Sequence, residues 1–354
     1  MRLMVLPGDG IGPEITAATL AVLHAASGRF DLALDLREDV VGHASLQRHG
    51  ATVRPGLLEA VRAADGLILG PTATLDFNDP AQGEINPSMF FRKQLDLFAN
   101  IRPARTWPGV SGRAGDFDLV VVRENTEGFY ADRNMEAGNA ELLVTPDVVI
   151  SLRRITRACC TRIARSAFEL AQRRRRHVSI AHKANVLRLG DGMFIDACRE
   201  VAKAFPDVTV DLVIIDALMA HVVRAPQRFD VIVTTNMFGD LLSDLTAELS
   251  GSLGLGGSLN AGSAHAMAQA AHGSAPDIAG RGIANPCSLI LSTALLLDWL
   301  ARRAARPALA AAAAAIEAAT AAAVAAREVT PDLGGSLRTA ELGARIAARV
   351  RAAA

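Results

Sequence analysis

The chain has 354 residues, 50% of them hydrophobic, and its 37 lysines and arginines balance 37 aspartates and glutamates. That length has room for two packed lobes and a sizeable core, and a formal charge of zero disfavours nucleic acid, which usually selects a basic excess. No uninterrupted apolar run reaches membrane-spanning length, since the best candidate, around Leu289 to Leu297, is broken by Ser292 and Thr293 and followed by Asp298.

The start, Met1 to Pro7, lacks the apolar core of a signal peptide. Four cysteines, including the vicinal Cys159-Cys160, show neither metal nor disulfide-framework spacing and read as reduced core residues. The expectation is a soluble cytoplasmic protein with no membrane partner. Only Lys93, Lys183 and Lys203 among the 37 basic residues are lysines, and Tyr130 is the single tyrosine. Guanidinium does not deprotonate, so each lysine is a candidate for proton transfer, a role that arginine cannot fill.

In chain order, Leu3 to Leu6 reads as a strand and Pro7 to Glu14 as a glycine-rich turn into a helix over Glu14 to Ser27. The glycine spacing is GxGxG rather than GxGxxG, and a tight strand-to-helix turn explains it as well as a phosphate loop does. A helix is expected over Val53 to Ala64, and a buried strand from Asp65 ending in a turn near Thr72. Asp76 to Pro87 is a loop rich in breakers, leading into a helix over Ser88 to Phe98 that carries Arg92. Arg102 follows at a strand entry, and Leu119 to Asn125 places Arg123 at a strand end. Three arginines at element ends suit a di- or tricarboxylate, because guanidinium binds carboxylate bidentately.

Asn134 to Leu143 reads as a projecting polar arm, and Pro146 to Gln172 as one long amphipathic helix. The basic run Arg173 to Arg176 reads as that helix's solvated end. Val178 to Asn185 is a strand delivering Lys183 and Asn185, and Val208 to Ile215 one delivering Asp216. Val231 to Val233 is a buried strand; Thr234 to Asn236 supplies turn and cap chemistry for a helix through Glu248. Asp240 and Asp244, four apart, project from one face of that helix and suit a hard cation such as Mg²⁺ or Mn²⁺. Lys183, Asp216 and the acid pair all fall at carboxyl ends of strands, where open α/β sheets bind ligands.

Gly251 to Asn260 reads as glycine-rich and flexible, and 272–286 as a long loop whose amides can approach a phosphate while Asp277 bonds a ribose diol. Helices are expected over Cys287 to Ala301, over the alanine-dominated Pro307 to Arg327, and after Gly334-Gly335 to the end. Alternating strands and helices specify an open α/β sheet.

Six segments then carry a resemblance: PGDGIGPE at 7–14, LDLFANIRP at 95–103, VVRENTEGFY at 121–130, HKANVLR at 182–188, NMFGDLLSDL at 236–245 and HGSAPDIAGRGIANP at 272–286. In that order the chain resembles the isocitrate/isopropylmalate dehydrogenases, which oxidise and decarboxylate 2-hydroxy acids. The resemblance implies a two-domain α/β open sheet without a Rossmann motif, in an obligate homodimer. One domain would comprise 1–100 plus 251–354, on the cofactor side, and the other 101–250, holding substrate, metal and the dimer contact.

It further implies that Arg92, Arg102 and Arg123 hold the malate carboxylates, with Ser88 in the segment that reads the 3-substituent. Asp216, Asp240 and Asp244 would surround Mg²⁺ or Mn²⁺, Lys183 and Asp216 coming from the other subunit. Tyr130 would protonate the product enolate and Lys183 would help remove the hydroxyl proton. His272, Gly273, Ser274, Ala275, Asp277, Ile278 and Asn285 would bind the adenosine half of the cofactor, with Asn185 near the nicotinamide. A carboxylate at Asp277 would repel a 2′-phosphate, so NAD is expected rather than NADP.

The chain departs from the family's patterns at Ile85, Ser88 and Met89, which match no substrate class intact. Gln269 stands where a glutamate is common. The ranking is 3-isopropylmalate or another 3-alkylmalate first, then homoisocitrate, isocitrate, and tartrate or D-malate. A non-catalytic regulatory paralogue is the rival class; such chains lose the tyrosine, the lysine or a metal aspartate, and all are present here.

Overall fold

The computed structural model describes residues 1–110, 112–130 and 140–352. The path opens with β1 (Arg2–Leu6), α1 (Gly12–Arg29), β2 (Asp35–Glu38), α2 (His43–His49), α3 (Leu57–Arg62), β3 (Gly66–Leu69) and α4 (Pro87–Gln94). It continues through β4 (Ala99–Arg105), β5 (Asp118–Glu124), β6 (Glu141–Thr145), β7 (Val148–Ser151), α5 (Arg157–Gln172), β8 (His177–His182) and α6 (Arg188–Ala202). Then come β9 (Thr209–Ile214), α7 (Ile215–Arg224), β10 (Val231–Thr234), α8 (Asn236–Leu249), β11 (Leu259–Ala261) and β12 (Ala266–Gln269). Three helices close it: α9 (Cys287–Ala304), α10 (Pro307–Ala325) and α11 (Thr339–Ala352).

The chain divides into two compact units, Met1–Leu97 with Thr106–Gly112 and Gly251–Ala354, and Phe98–Arg105 with Arg113–Ser250. In the first unit the strands run β2-β1-β3-β12-β11; β2, β1, β3 and β12 are parallel and β11 is antiparallel to β12. Met4, Leu6, Leu67, Leu69 and Met267 pack one face against Leu57, Val61 and Phe91. Pro307–Ala325 is long and apolar enough by composition to cross a membrane, although its apolar character is mostly alanine. In the fold it buries Leu309, Ala312, Ile316 and Val324, and it packs on α9 and α11.

In the second unit the order is β4-β5-β10-β8-β9. Among these five described strands β4 alone is antiparallel to its neighbour β5; β10 lies between β5 and β8, with Val231 paired to Val120 and to Val178. As the expected continuous apolar run implies, β10 is buried along its whole length. One sheet face packs on α5 and α6 through Ile163, Phe168 and Phe194. The other packs on α7 and α8 through Leu218, Val222 and Leu242. The carboxyl ends of β5, β10 and β8 therefore lie side by side.

Several local expectations are corrected. The helix expected over Pro146 to Gln172 starts only at Arg157, where the Thr156 hydroxyl accepts from the Cys159 amide. Before it, the β-branched Val148-Val149-Ile150 forms β7, paired with β6 in a hairpin. The expected arm at Asn134 to Leu143 falls partly on 134–139, outside the described residues. Arg174 and Arg175 are not merely a solvated helix end: Arg174 Nε bonds buried Asp230 at 2.7 Å and its Nη2 bonds Asp118 at 2.8 Å, while the Arg175 amide reaches the other Asp230 oxygen. Gly251 to Asn260 is packed, with a 3₁₀ turn at Leu253–Leu255 and β11 buried throughout.

Candidate active site

Register decides which side chains meet. Arg123 is level with Thr234 across the β5–β10 pair, one residue short of the loop that starts α8. Its side chain is among the largest fully buried ones, so its charge needs partners on every side. Nε donates to Asn236 Oδ1 at 2.9 Å, and Nη1 pairs with Asp240 Oδ1. Gly239 makes the approach possible, since a Cβ there would lie 2.6 Å from Arg123 Cβ and Cγ.

Arg102, on the antiparallel strand β4, comes to the same helix face. Its Nη1 donates to Ser243 Oγ at 2.8 Å and Asp244 Oδ1 at 2.9 Å, and lies 3.4 Å from Asp240 Oδ1. Burial lowers the Arg102 guanidinium from its ordinary range and nearby Arg123 adds to this, while Asp240 and Asp244 oppose it. Burial likewise raises the Asp244 carboxyl, with Asp240's charge adding to it and Arg102 opposing. Tyr130 completes the cluster: its hydroxyl donates to Asp240 Oδ2 at 2.5 Å, and the Arg123 guanidinium stands 5.4 Å from its ring centroid.

The turn bearing Tyr130 is built by buried carboxylates. Glu124 accepts from the Thr126 and Glu127 amides at 2.8 and 3.0 Å, and burial raises its carboxyl. Glu127 accepts from the Thr156 amide and hydroxyl at 2.8 and 2.9 Å. Asn236 Nδ2 donates to the Glu127 carbonyl at 2.8 Å. Asn236, expected only to help start α8, is therefore a hub. The cap position belongs to Thr235, whose side chain makes no capping bond.

A second group in the same unit joins Lys183 to Asp216, Nζ to Oδ1 at 2.7 Å, with Asn185 exposed two residues on. The lysine's hydrogen bond lowers the Asp216 carboxyl. Among the described residues no three His, Cys, Asp or Glu side chains gather as a metal site; within one chain, Asp216 goes with the lysine and Asp240 and Asp244 with the arginines.

The first unit holds the rest. Ser88 Oγ and Arg92 Nη2 both donate to Gln269 Oε1, at 3.0 and 2.9 Å. In the 272–286 loop, the Ser274 carbonyl accepts from the Ile11 amide at 2.9 Å, and Glu14 accepts from the Gly282 amide at 2.9 Å. The glycine-rich turn at 7–14 thus anchors this loop. Burial lowers the His272 imidazole, whose Nδ1 lies 3.0 Å from the Gly273 carbonyl. Gly273 and Asp277 are exposed, and Ser274, Ala275 and Ile278 half-buried. Asn285 uses both ends of its amide on the fold, bonding Asp332 and the Cys287 amide at 3.0 Å each.

Asn236 and Ser243 make contacts that residue type alone did not expose, and Gln269, noted as a departure from the family pattern, proves to accept from Ser88 and Arg92. Ser243, three residues after Asp240, shares its helix face, and that spacing was the available signal for it.

These features define an α/β protein whose strand ends gather buried cations, paired acids and a hydroxyl donor. The isocitrate/isopropylmalate dehydrogenase profile matches residues 2–346. The isocitrate/homoisocitrate dehydrogenase of Thermus thermophilus is 40% identical over 339 residues, 96% of this chain and 95% of that protein. The 3-isopropylmalate dehydrogenase of Methanothermobacter thermautotrophicus is 40% identical over 350 residues, 98% of each. A crystal structure of isocitrate dehydrogenase from Methylococcus capsulatus superposes with a TM-score of 0.87 at 37% identity, covering 99% of both chains. The chain belongs to the isocitrate/isopropylmalate dehydrogenase family, whose members are decarboxylating hydroxy-acid dehydrogenases.

Proposed function

We propose that this protein is an NAD-dependent, divalent-metal-dependent dehydrogenase that oxidises and decarboxylates a 3-substituted malate, with 3-isopropylmalate or another 3-alkylmalate as the first choice of substrate. The observation that carries the reading is Asp240, which holds Tyr130 on one oxygen and Arg123 on the other beside Arg102. An alkyl substituent is favoured by Ile85 and Met89, half-buried apolar residues flanking Ser88, with no added cation for a third carboxylate. Homoisocitrate stands second, because the Thermus relative named isocitrate/homoisocitrate dehydrogenase is 40% identical, the same as the Methanothermobacter 3-isopropylmalate dehydrogenase.

Asp240 and Asp244 suit a hard dication: both are oxygen donors on one face, and burial raises the Asp244 carboxyl, a penalty that a cation would relieve. Asp216 of a second copy would complete the donor set. Bound Mg²⁺ or Mn²⁺ would supply positive charge at the substrate oxygen, and NAD, held by the 272–286 loop, would accept the hydride. Arg102 and Arg123, with Arg92, orient the carboxylates. Lys183, delivered with Asp216 by the second copy, takes the hydroxyl proton as the carbon is oxidised. After CO₂ leaves, Tyr130 delivers a proton to the carbon that lost it.

The homodimer is supported by exposed apolar surface in the second unit. The β6–β7 hairpin exposes Leu142, Leu143, Val149 and Ile150, and Leu189, close after Lys183, is 91% exposed. Initial rates on a panel of 3-substituted malates, with NAD and with NADP, test the reading. The highest kcat/KM is expected for a 3-alkylmalate with NAD, lost on chelation and restored by Mg²⁺ or Mn²⁺. Absence of NAD reduction with every member would reject it, and Lys183→Ala with an unchanged rate would remove the lysine from the chemistry.

A further inference from the structure

The glycine-rich turn at 7–14 has the composition of a phosphate loop, but in the first unit it is packed on the protein's own backbone. A Cβ on Gly10 (φ +59°) would stand 2.0 Å from the Ser274 carbonyl oxygen, and one on Gly8 (φ +76°) 2.2 Å from that of Pro71. Both carbonyls are also bonded: the Ile11 amide donates to Ser274 at 2.9 Å and the Asp9 amide to Pro71 at 2.7 Å. The buried Asp9 carboxylate accepts from the His43 amide at 2.8 Å and the Ala73 amide at 2.9 Å. That carboxylate sets a negative charge inside the turn, which a phosphate would meet as repulsion.

Glu14, in the first turn of α1, extends the contact. Its Oε2 accepts from the Gly282 amide at 2.9 Å, while its Oε1 is buried without a hydrogen bond. The 272–286 loop is therefore held to this segment at two points, Ser274 before the 3₁₀ turn Pro276–Ile278 and Gly282 after it. Between them Ala275 sits at φ +39°, a left-handed conformation that costs energy for a residue with a Cβ, so outside contacts must keep the loop in this form. Thr339 adds support from the other side, its amide on the Gly282 carbonyl at 2.9 Å and its hydroxyl on the Ala284 carbonyl at 2.7 Å. An acid in the first turn of a helix also complements the macrodipole. That accounts for a carboxylate at this place but not for its bond to a residue 268 positions away.

We propose that Glu14 is a positioning residue for the cofactor: by holding the Gly282 amide, with Ile11 on Ser274, it presets the 272–286 loop, so that NAD binds without the cost of ordering it. The involvement of NAD rests on the function proposed above. The loop's attachment to α1 does not, and it can be read with neither cofactor nor turnover. Arg281 is exposed, and the peptide bond after it is the one whose amide Glu14 holds. Trypsin cuts such a bond only when the chain opens locally, so the rate of that cut reports how firmly the loop is tied down.

In Glu14→Ala, the cut between Arg281 and Gly282, followed by mass spectrometry without NAD and scored against the other tryptic bonds, should quicken several-fold. The Kd for NAD, measured by calorimetry, should rise about tenfold, the share of one hydrogen bond to a charged group. The kcat at saturating NAD and the KM for the hydroxy acid should stay near wild type. Two further variants separate reach from charge. Glu14→Asp keeps the charge at the helix terminus but withdraws the oxygen from Gly282, and should behave like Glu14→Ala. Glu14→Gln loses the charge but keeps an acceptor at full reach, and should restore most of the slow cut and of the affinity. A folded Glu14→Ala or Glu14→Asp protein with the wild-type cut and Kd would overturn the proposal. So would a Glu14→Gln protein no better than Glu14→Ala, which would assign the residue to the helix terminus. A wild-type chain that binds no NAD, yet is cut faster at Arg281 in Glu14→Ala, would reject the cofactor reading and leave only the loop's attachment standing.

Discussion

The Tyr130 hydroxyl donates to Asp240 Oδ2 at 2.5 Å while Arg123 occupies the other oxygen of the same carboxylate. On the proposed function, a proton donor is thereby fixed beside a cation that would attract the substrate. Tyr130→Phe removes only the hydroxyl, so folding and substrate affinity should be largely retained. A positioned general acid typically contributes about 10²–10⁴-fold, and kcat should fall by that order. Initial rates check this, and a loss under threefold would take the tyrosine out of the proton transfer.

Asn236 offers a second prediction. Its carbonyl oxygen receives Arg123 Nε and its amide holds the Glu127 carbonyl, all three being buried. Asn236→Ala leaves a buried donor and a buried acceptor unmatched, at about 1–3 kcal/mol each. Lower thermal stability and a higher KM are both expected, because Arg123 loses one of its guides. Asn236→Ala with unchanged melting and KM would show that Asp240 alone orients the arginine.

The large features of this site were legible for a simple physical reason. Period-two and continuous apolar runs locate β5, β8 and β10, and residues at their carboxyl ends must converge where the strands are neighbours. Arg123 and Asp240 meet in this way, whereas Lys183, at the end of β8, pairs with Asp216 instead. What failed was local. Val148 to Ile150 was read with the following helix because a short apolar run does not reveal its own period, and Thr156 was not read as the cap. Asn236 and Glu14 escaped because their partners are distant in sequence: Asn236 reaches back to Arg123, and Glu14 reaches Gly282. Spacing can report neither contact.

Gln269 tests the substrate end of the first unit. Its Oε1 accepts from both Ser88 and Arg92. Gln269→Glu would place a full negative charge about where that oxygen stands, strengthening the hold on Arg92, already charged on one side, by about 1 kcal/mol. An arginine so engaged is less available to a substrate carboxylate. KM should rise about fivefold by the same arithmetic, with kcat changing less. An unchanged KM at low salt would place Arg92 outside substrate binding.

Cofactor choice is tested at Asp277, an exposed carboxylate on the 3₁₀ turn Pro276–Ile278. A negative group there discriminates against a 2′-phosphate by repulsion. Asp277→Lys should lower the ratio of kcat/KM for NAD over NADP by about tenfold or more, equivalent to roughly 1.4 kcal/mol. A ratio that does not move would separate this turn from the adenosine ribose.

Acid stability is tested far from the chemistry, at Asp39. Burial alone would raise this carboxyl, but the Arg54 guanidinium, with Nε at 3.0 Å and Nη2 on the same oxygen, and the Val40 amide at 2.8 Å hold it below the usual carboxylate range. The unfolded chain therefore binds this proton more readily than the folded one. The pair's stabilisation is fully present above the unfolded value of about 4 and disappears as pH falls through the depressed folded value. Asp39→Asn should cost about 1 kcal/mol near neutrality, the upper end for a partly exposed pair. The difference in Tm between the variant and the wild type should shrink as pH is lowered below about 4, where the wild type also loses the charge. Melting curves from pH 7 down to pH 3 decide it: a Tm difference that stays constant across that range would assign the effect to packing rather than to the ion pair.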